Sequence, residues 1–206
     1  MGIQLAIVFG HSLSPAGLTA FAEKASISPR MNRAASRLWD VMHVRWSNLD
    51  PIESFTQFKP DERWSERDIS AEQEPHEKLC FEWAGFTLYF GRNAVFAIHL
   101  EKLIGFVLNI DDLQAPLLAC IRTLARELQS PMIIIGPDCF SDFQQAYEVA
   151  DGSSLDDILD RAKRICGKHV SRIRDMADSD GELNLDSQCY YVEPVALDDP
   201  KSTNRG

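Results

Sequence analysis

The clearest hydrophobic pattern in the chain is a group of three short apolar runs that follow one another closely. The runs occupy residues 79–83, 86–90 and 94–99. Ala84-Gly85 joins the first two runs and residues 91–93 join the last two, and connections of this length are typical of β-hairpins. The pattern therefore predicts an antiparallel meander.

Other apolar segments have the lengths and periods of single strands and helices. Continuous apolar or β-branched runs predict strands at residues 3–9, 132–135 and 189–192. Apolar side chains that recur every three or four residues predict amphipathic helices at about 14–24, 30–46, 111–129 and 155–165. Weaker signals predict a strand-like element at 103–109, a helix near 141–149 and a basic helical turn at 168–176. The strand at 132–135 is apolar throughout, so we expect both of its faces to be buried.

Together these elements predict an α+β fold. Only one strand–helix–strand crossover is evident, so we expect one mainly antiparallel sheet, with its central meander at about 79–99, covered by amphipathic helices. The 206 residues are enough for one substantial domain, which we place at 1–197. We expect residues 198–206, which are mostly polar, to form a disordered tail.

Residues 51–78 lack a regular hydrophobic period and predict a long connection with room for one helical turn. Within it, residues 61–77 carry seven acidic and two basic side chains. Phe55, Phe58 and Trp64 lie in or beside this charged stretch. Such aromatics either anchor the connection on the core or, where they are exposed, form a protein-binding hot spot with a charged rim. The sequence leaves both interpretations open.

The chain is strongly acidic, and its charge is unevenly distributed. The formal net charge is −10, to which residues 138–206 contribute −7 and residues 51–110 contribute −4. Nucleic acids and anionic membranes are bound through basic patches, so this balance argues against both as partners. It favours a basic protein partner.

The cysteines and the first residues of the chain indicate a cytoplasmic protein. The five cysteines are scattered and include no C-x-x-C pair, which argues against a disulfide framework and against a four-cysteine zinc site. The apolar run at 3–9 is too short for a signal peptide or a membrane span, and no basic segment precedes it.

No cofactor or metal motif is evident. Neither a P-loop nor a G-x-G-x-x-G run occurs, and the five histidines lack zinc-ligand spacing. Residues 178–182 resemble part of an EF-hand loop, but Met176 and Ser187 then occupy positions where calcium needs carboxylates. We therefore expect neither a cofactor nor a metal ion.

One short motif points to catalytic chemistry. Gly10-His11-Ser12-Leu13-Ser14 resembles the nucleophile elbow of the α/β-hydrolases, with Ser14 in the place of the second glycine. Asp138 and His169 would complete the chain order Ser–Asp–His. The motif begins at residue 10, which leaves no chain for the strands that precede the elbow in that family. A small serine hydrolase using Ser12, Asp138 and His169 is therefore the alternative hypothesis.

The preferred hypothesis is a non-catalytic acidic interaction protein. In its concrete form, the chain is an inhibitor of the immunity type that masks the basic active-site cleft of a toxin or nuclease. The predicted contact residues are the aromatics Phe58 and Trp64 and the carboxylates Glu62, Glu66 and Glu72. A structural subunit that forms a homodimer or larger homo-oligomer through the sheet edge is a further alternative.

Overall fold

The computed structural model describes residues 4–60, 79–99, 111–138, 152–166, 168–176 and 189–197. Its helices are α1 (Pro15–Ser26), α2 (Pro29–Met42), α3 (Ile52–Thr56), α4 (Asp111–Glu127) and α5 (Leu155–Ile165), with a 3₁₀ turn at Ile173–Met176. Its strands are β1 (Gln4–Gly10), β2 (Lys59–Pro60), β3 (Leu79–Trp83), β4 (Phe86–Phe90), β5 (Ala94–His99), β6 (Met132–Asp138), β7 (Lys168–Val170) and β8 (Cys189–Pro194). These strands form one sheet in which only β7 and β8 run parallel, so the predicted α+β class with a mainly antiparallel sheet is confirmed.

Strand β1 lies in the interior of the sheet, whose strand order is β2-β3-β4-β5-β1-β6-β8-β7. It pairs antiparallel with β5 on one side and with β6 on the other. Because successive side chains of a strand point to opposite faces, Leu5, Ile7 and Phe9 are buried on one face and Ala6 and Val8 on the other. The apolar run of β1 is continuous because both faces of the sheet are covered there.

Helices α1, α2 and α4 cover the first face and form the larger core. The ring of Phe21 in α1 meets the ring of Phe58 edge-on, with 5.5 Å between the centroids. Arg122 of α4 donates to the Glu193 carboxylate of β8, and the Tyr191 hydroxyl donates to the same carboxylate at 3.0 Å. This network attaches α4 to the sheet, because the Glu193 carboxylate is only 16% exposed and would lose its cation if Arg122 were removed.

Helix α5 covers the second face, where Leu155 and Ile158 are buried in a smaller core with residues of β1 and β6. Gly10 permits this close packing, because a Cβ at Gly10 would lie 3.1 Å from Leu155 Cδ2. A capping box between Ser154 and Asp157 begins the helix. The predicted start of this helix is therefore confirmed.

Two serine–proline pairs begin α1 and α2. Ser14 accepts a hydrogen bond from the Gly17 N–H, and Ser28 accepts one from the Met31 N–H. In each helix a proline follows at the first position, where its missing N–H costs nothing. The predicted helix at about 14–24 is confirmed as α1.

Strand β6 is longer than its apolar run. The apolar run predicts a strand at 132–135, but pairing with β1 continues to Asp138, which lies opposite Gln4. Strand β8 pairs with β6 only as far as Ile135. Pro137 therefore lies where β6 has a described neighbour on one side only, and a residue without an N–H is tolerated there.

Three shorter predictions are corrected by the structure. The helical turn predicted at 168–176 is confirmed only at Ile173–Met176, because residues 168–170 form β7, where parallel pairing with β8 decides the conformation of a short segment. Helix α2 ends at Met42, four residues before the predicted end at Trp46. Residues 51–60 contain the one helical turn that was expected, α3, but also strand β2, which was not.

Some predictions concern residues outside the described ranges. They are the strand-like element at 103–109, the helix near 141–149 and the tail at 198–206. Among the helices that the structure describes, none combines the length and the apolar composition needed to cross a bilayer.

Replacement of Ile7 by alanine tests the position of β1. Ile7 is fully buried, so we expect Ile7→Ala to lower the free energy of unfolding by about 2–5 kcal/mol through lost burial and a new cavity. Ile27→Ala is the matched control, because Ile27 is 76% exposed and the same change should stay within about 0.5 kcal/mol there. Urea denaturation followed by tryptophan fluorescence measures both values. Equal effects at the two positions would contradict the buried position of β1.

Candidate functional site

The structure does not bring the three residues of the hydrolase-like motif together. Ser12 is exposed in the turn that follows β1. Asp138 lies opposite Gln4 at the other end of β1, and a strand of seven residues spans about 20 Å. His169 lies in β7, three strands from β1, which is about 14 Å across the sheet. A Ser–Asp–His triad requires direct hydrogen bonds between its members, so the described backbone does not form this site.

His11 stabilises the turn after β1 and does not activate Ser12. Its Nδ1 accepts the Leu13 N–H at 3.1 Å, so Nε2 carries the ring proton and donates it to the Gly91 carbonyl at 2.9 Å. Burial lowers the pKa of His11, although hydrogen bonds with the Gly91 and Ala94 backbone oppose this shift. Because both ring nitrogens are engaged, His11 has no free lone pair with which to accept a proton from Ser12.

The predicted partner-binding residues lie mostly outside the described ranges. Those outside are Glu62, Trp64, Glu66 and Glu72. Phe58 is described, is 3% exposed and stacks on Phe81 with 5.0 Å between the ring centroids. Phe58 therefore anchors the start of the acidic segment on the core, and its burial removes it from the predicted contact surface.

A cleft of about 210 Å³ lies beside the start of this acidic segment. Its walls come from the turn at residues 48–50, from α3 and from the turn that joins β3 to β4. Asp50, Ser54, Lys59 and Glu82 are among the residues that line it. Phe55, Trp83 and Phe86 lie behind these residues and are at most 5% exposed.

Hydrogen bonds hold the walls of the cleft in position. The Trp39 indole N–H donates to the Asp50 carbonyl at 3.0 Å, and the Trp39 ring stacks on His43 with 4.0 Å between the centroids. The Ala84 N–H donates to the Phe55 carbonyl at 2.8 Å, which joins the hairpin turn to α3. The cleft is therefore preformed, which lowers the entropic cost of binding.

The hairpin turn in the cleft wall contains a residue in a strained conformation. Ala84 has a φ of 52° and Gly85 a φ of 77°, as in a type I′ turn. A side chain in this left-handed region costs about 1–2 kcal/mol, and asparagine or glycine is the usual choice at the first position. Ala84 is fully buried, which disfavours the larger asparagine. Strain of this kind is concentrated at functional sites.

Ser54 and Lys59 have the geometry of a nucleophile–base pair, but Glu82 changes their chemistry. Lys59 Nζ donates to Ser54 Oγ at 2.9 Å and lies 3.5 Å from Glu82 Oε2. In a Ser–Lys catalytic pair the amine accepts the serine proton. Here the Lys59 amine also contacts Glu82, so Ser54, Lys59 and Glu82 form one polar network and not an isolated pair.

Two buried polar side chains beside the cleft have no well-formed hydrogen bond to any described residue. They are the indole of Trp83 and the imidazole of His99. His99 is fully buried and contacts Phe86 edge-on, with 4.5 Å between the ring centroids. Burial lowers the pKa of His99 to about 4, with the Ala84 backbone opposing the shift. His99 therefore packs as a neutral ring near pH 7.

Sequence reasoning missed this cleft because its walls come from three separated segments. The sequence predicts Ala84-Gly85 as a hairpin connection, but no local pattern shows that α3 packs against this turn. The only available signal was Lys59, a lysine next to the acidic segment, which suggests an ion pair with a nearby carboxylate. Among the described residues, no group of three or more histidine, cysteine or acidic side chains is arranged to hold a metal ion.

The titration of His99 predicts that acid weakens the fold. The unfolded chain protonates this ring below about pH 6.5, whereas the folded chain does so only near pH 4. Stability is therefore lost as the pH falls through this window, by roughly 3 kcal/mol at about 1.4 kcal/mol for each pH unit. His99→Phe should flatten this part of the unfolding profile in urea titrations at several pH values.

The exposed His169→Phe is the control for this experiment and should leave the slope unchanged. His11 titrates equally in both variants, so its contribution cancels in the comparison. If the free energy of unfolding changes with pH equally in His99→Phe and in the wild type, His99 is not buried as a neutral ring.

A second prediction concerns the two serines. Ser12 is exposed, so Ser12→Ala should change the free energy of unfolding by no more than about 1 kcal/mol. A fluorophosphonate probe should label neither Ser12 nor Ser54, as read by intact-mass spectrometry. Stoichiometric labelling that disappears in Ser12→Ala would restore the hydrolase hypothesis, and labelling that disappears in Ser54→Ala would assign catalysis to the cleft.

Comparison with known proteins assigns no family to this fold. No protein-family model, no curated protein and no solved structure matches the chain. The function must therefore be inferred from the charge, burial and contacts of the residues described above.

Proposed function

We propose that the protein is a non-catalytic interaction protein that binds a basic protein partner at the β2–β3 edge of its sheet. In its concrete form it is a cytoplasmic inhibitor of the immunity type, which masks the basic active-site cleft of a toxin or nuclease. Charge complementarity accelerates the capture of such a partner and disfavours acidic competitors.

The observation that carries this proposal is the attachment of the acidic segment to the sheet. Residues 61–77 have a net charge of −5. The described residues that flank it, Pro60 and Leu79, belong to β2 and β3, which are neighbouring antiparallel strands at one edge of the sheet.

The described surface around this edge adds to the negative charge. Asp50 and Glu53 are exposed there. Lys59, the lysine that lines the cleft, bonds to Ser54 and Glu82. It does not neutralise Asp50 or Glu53, so these carboxylates steer a basic partner toward this edge.

Other features support an interaction role over the alternatives. The separation of Ser12, Asp138 and His169 disfavours the hydrolase. Strand β2 has two residues and includes Pro60, and β7 has three, so both sheet edges offer little backbone for strand pairing with a second copy. Four cysteines lie in the described part of the chain, and all four are buried, which is compatible with a reducing cytoplasm.

Charge reversal in the acidic segment tests the proposal. The tagged protein is used to capture a partner from the source cells, and association and dissociation rates are then measured at two salt concentrations. Reversal of Glu62, Glu66 and Glu72 to lysine should slow association about tenfold or more at low salt and flatten its salt dependence. The matched control reverses Glu23 of α1 and Asp156 and Asp160 of α5 to lysine. These side chains are exposed, and their reversal changes the net charge by the same amount as the reversal in the acidic segment.

Trp64→Ala should act differently from the charge reversals. If Trp64 anchors the complex, its loss should speed dissociation at a cost of roughly 2 kcal/mol or more in binding free energy.

Equal slowing of association by the two triple charge reversals would show that only net charge matters and would contradict a specific acidic edge. Failure to capture any basic protein would contradict the proposed function itself.

A further inference from the structure

We infer that the exposed side of α2 binds an acidic segment of another protein through a row of arginines. The row consists of Arg30, Arg33 and Arg37 and is called the arginine row below. This inference goes beyond the proposed function and does not depend on it, because it needs a partner surface of the opposite charge.

The arginine row lies on one side of α2 and faces solvent. Its members are three and four residues apart, a spacing that places side chains next to one another on a helix. All three are exposed, whereas Ala35 and Leu38 are fully buried on a different side of the same helix. Arg33 and Arg37 make no ion pair with any residue in the described part of the chain. Their guanidinium groups are therefore available to an anionic partner.

The arginine row does not stabilise the helix that carries it. Like charges three or four residues apart repel each other, and Arg30 in the first turn lies at the positive end of the helix dipole. Helix α2 has no acidic residue in its first turn and no basic residue in its last turn. Helix α5 has the favourable arrangement, with two acids in its first turn and two bases in its last. A local arrangement that opposes helix stability is characteristic of a functional surface.

A groove at the start of the arginine row adds positive charge and an apolar contact. It has a volume of about 430 Å³ and lies where the end of α1, the start of α2 and the end of α4 meet. Lys24, Arg30 and Arg126 line it, and its carboxylate, Glu127, is 3.6 Å from Lys24 Nζ. Ile27 lines the same groove and is 76% exposed. An exposed aliphatic side chain beside arginines suits a protein partner better than a phosphate backbone.

Carboxylates of an extended segment match the spacing of the two unpaired arginines. Arg33 and Arg37 are separated by a rise of about 6 Å along the helix, and carboxylates on alternate residues of an extended chain lie about 7 Å apart. Each guanidinium can bond to a carboxylate through two parallel hydrogen bonds. A long nucleic acid or an anionic bilayer would also meet the repulsion of a chain whose net charge is −10. A short acidic segment stays within about one Debye length, roughly 8 Å, of the arginines.

Binding of a defined acidic peptide to the full-length protein tests this inference. The probe is a fluorescein-labelled peptide in which glutamate and leucine alternate, and its fluorescence anisotropy should rise to saturation. Arg33→Gln combined with Arg37→Gln should weaken binding about tenfold or more. The matched control combines Arg164→Gln with Lys168→Gln, two exposed positions on α5 and β7, and changes the net charge equally. The control should leave the affinity unchanged, and a labelled peptide with glutamine in place of glutamate should not bind.

Urea denaturation of the Arg33→Gln, Arg37→Gln variant separates a binding role from a structural one. Because the substitutions remove a repulsion, this variant should unfold at the same or a higher urea concentration than the wild type. A lower midpoint would show that the two arginines serve the fold and would overturn the inference. Equal weakening in the control variant, or binding of the glutamine peptide, would also overturn it. Tighter binding to phosphatidylserine vesicles or to a thymidine oligonucleotide than to the acidic peptide would show that the partner is not an acidic protein segment.

Discussion

Burial of β1 on both faces is the constraint on which the rest of the arrangement depends. A strand that is paired along both edges and apolar on both faces must lie inside a sheet that is covered on both sides. Helices α1, α2 and α4 meet this requirement on one side and α5 on the other. The same position divides the sheet into the β2–β5 half and the β6–β8 half, so the cleft beside β2 and β3 lies toward the opposite edge from β7.

The hairpin beside the cleft combines several unfavourable features within a few residues. Ala84 adopts a left-handed conformation, and Trp83 and His99 bury polar atoms that have no well-formed hydrogen bond to any described residue. Each unpaired buried group costs about 1–3 kcal/mol. The aromatic packing of the meander, in which Phe81 and Phe90 meet with 5.5 Å between ring centroids, helps to offset these costs. The strain is therefore retained in a rigid wall, which is what a preformed binding cleft needs.

Charge is segregated along the chain in a way that suits directed association. Residues 1–50 have a net charge of +2, whereas residues 61–77 have −5. A basic partner approaching this asymmetric field is attracted toward the acidic segment before any contact forms. In the proposed complex, the acidic side chains of residues 61–77 set the association rate, and an aromatic anchor sets the lifetime.

The sequence by itself determined the elements whose signals are local. The meander at 79–99, the strand that begins at Gln4, the capped helix after Ser14 and the helix after Ser154 could all be predicted from apolar periods and turn residues. Tertiary structure alone decided the rest. It extended β6 through Pro137, converted residues 168–170 from a predicted helical turn to a strand and placed Phe58 in the core. It also separated Ser12 from Asp138 and assembled the cleft from Asp50, Lys59 and Glu82. Periods and caps act between neighbouring residues, whereas strand register and burial depend on contacts between distant segments that no local pattern specifies.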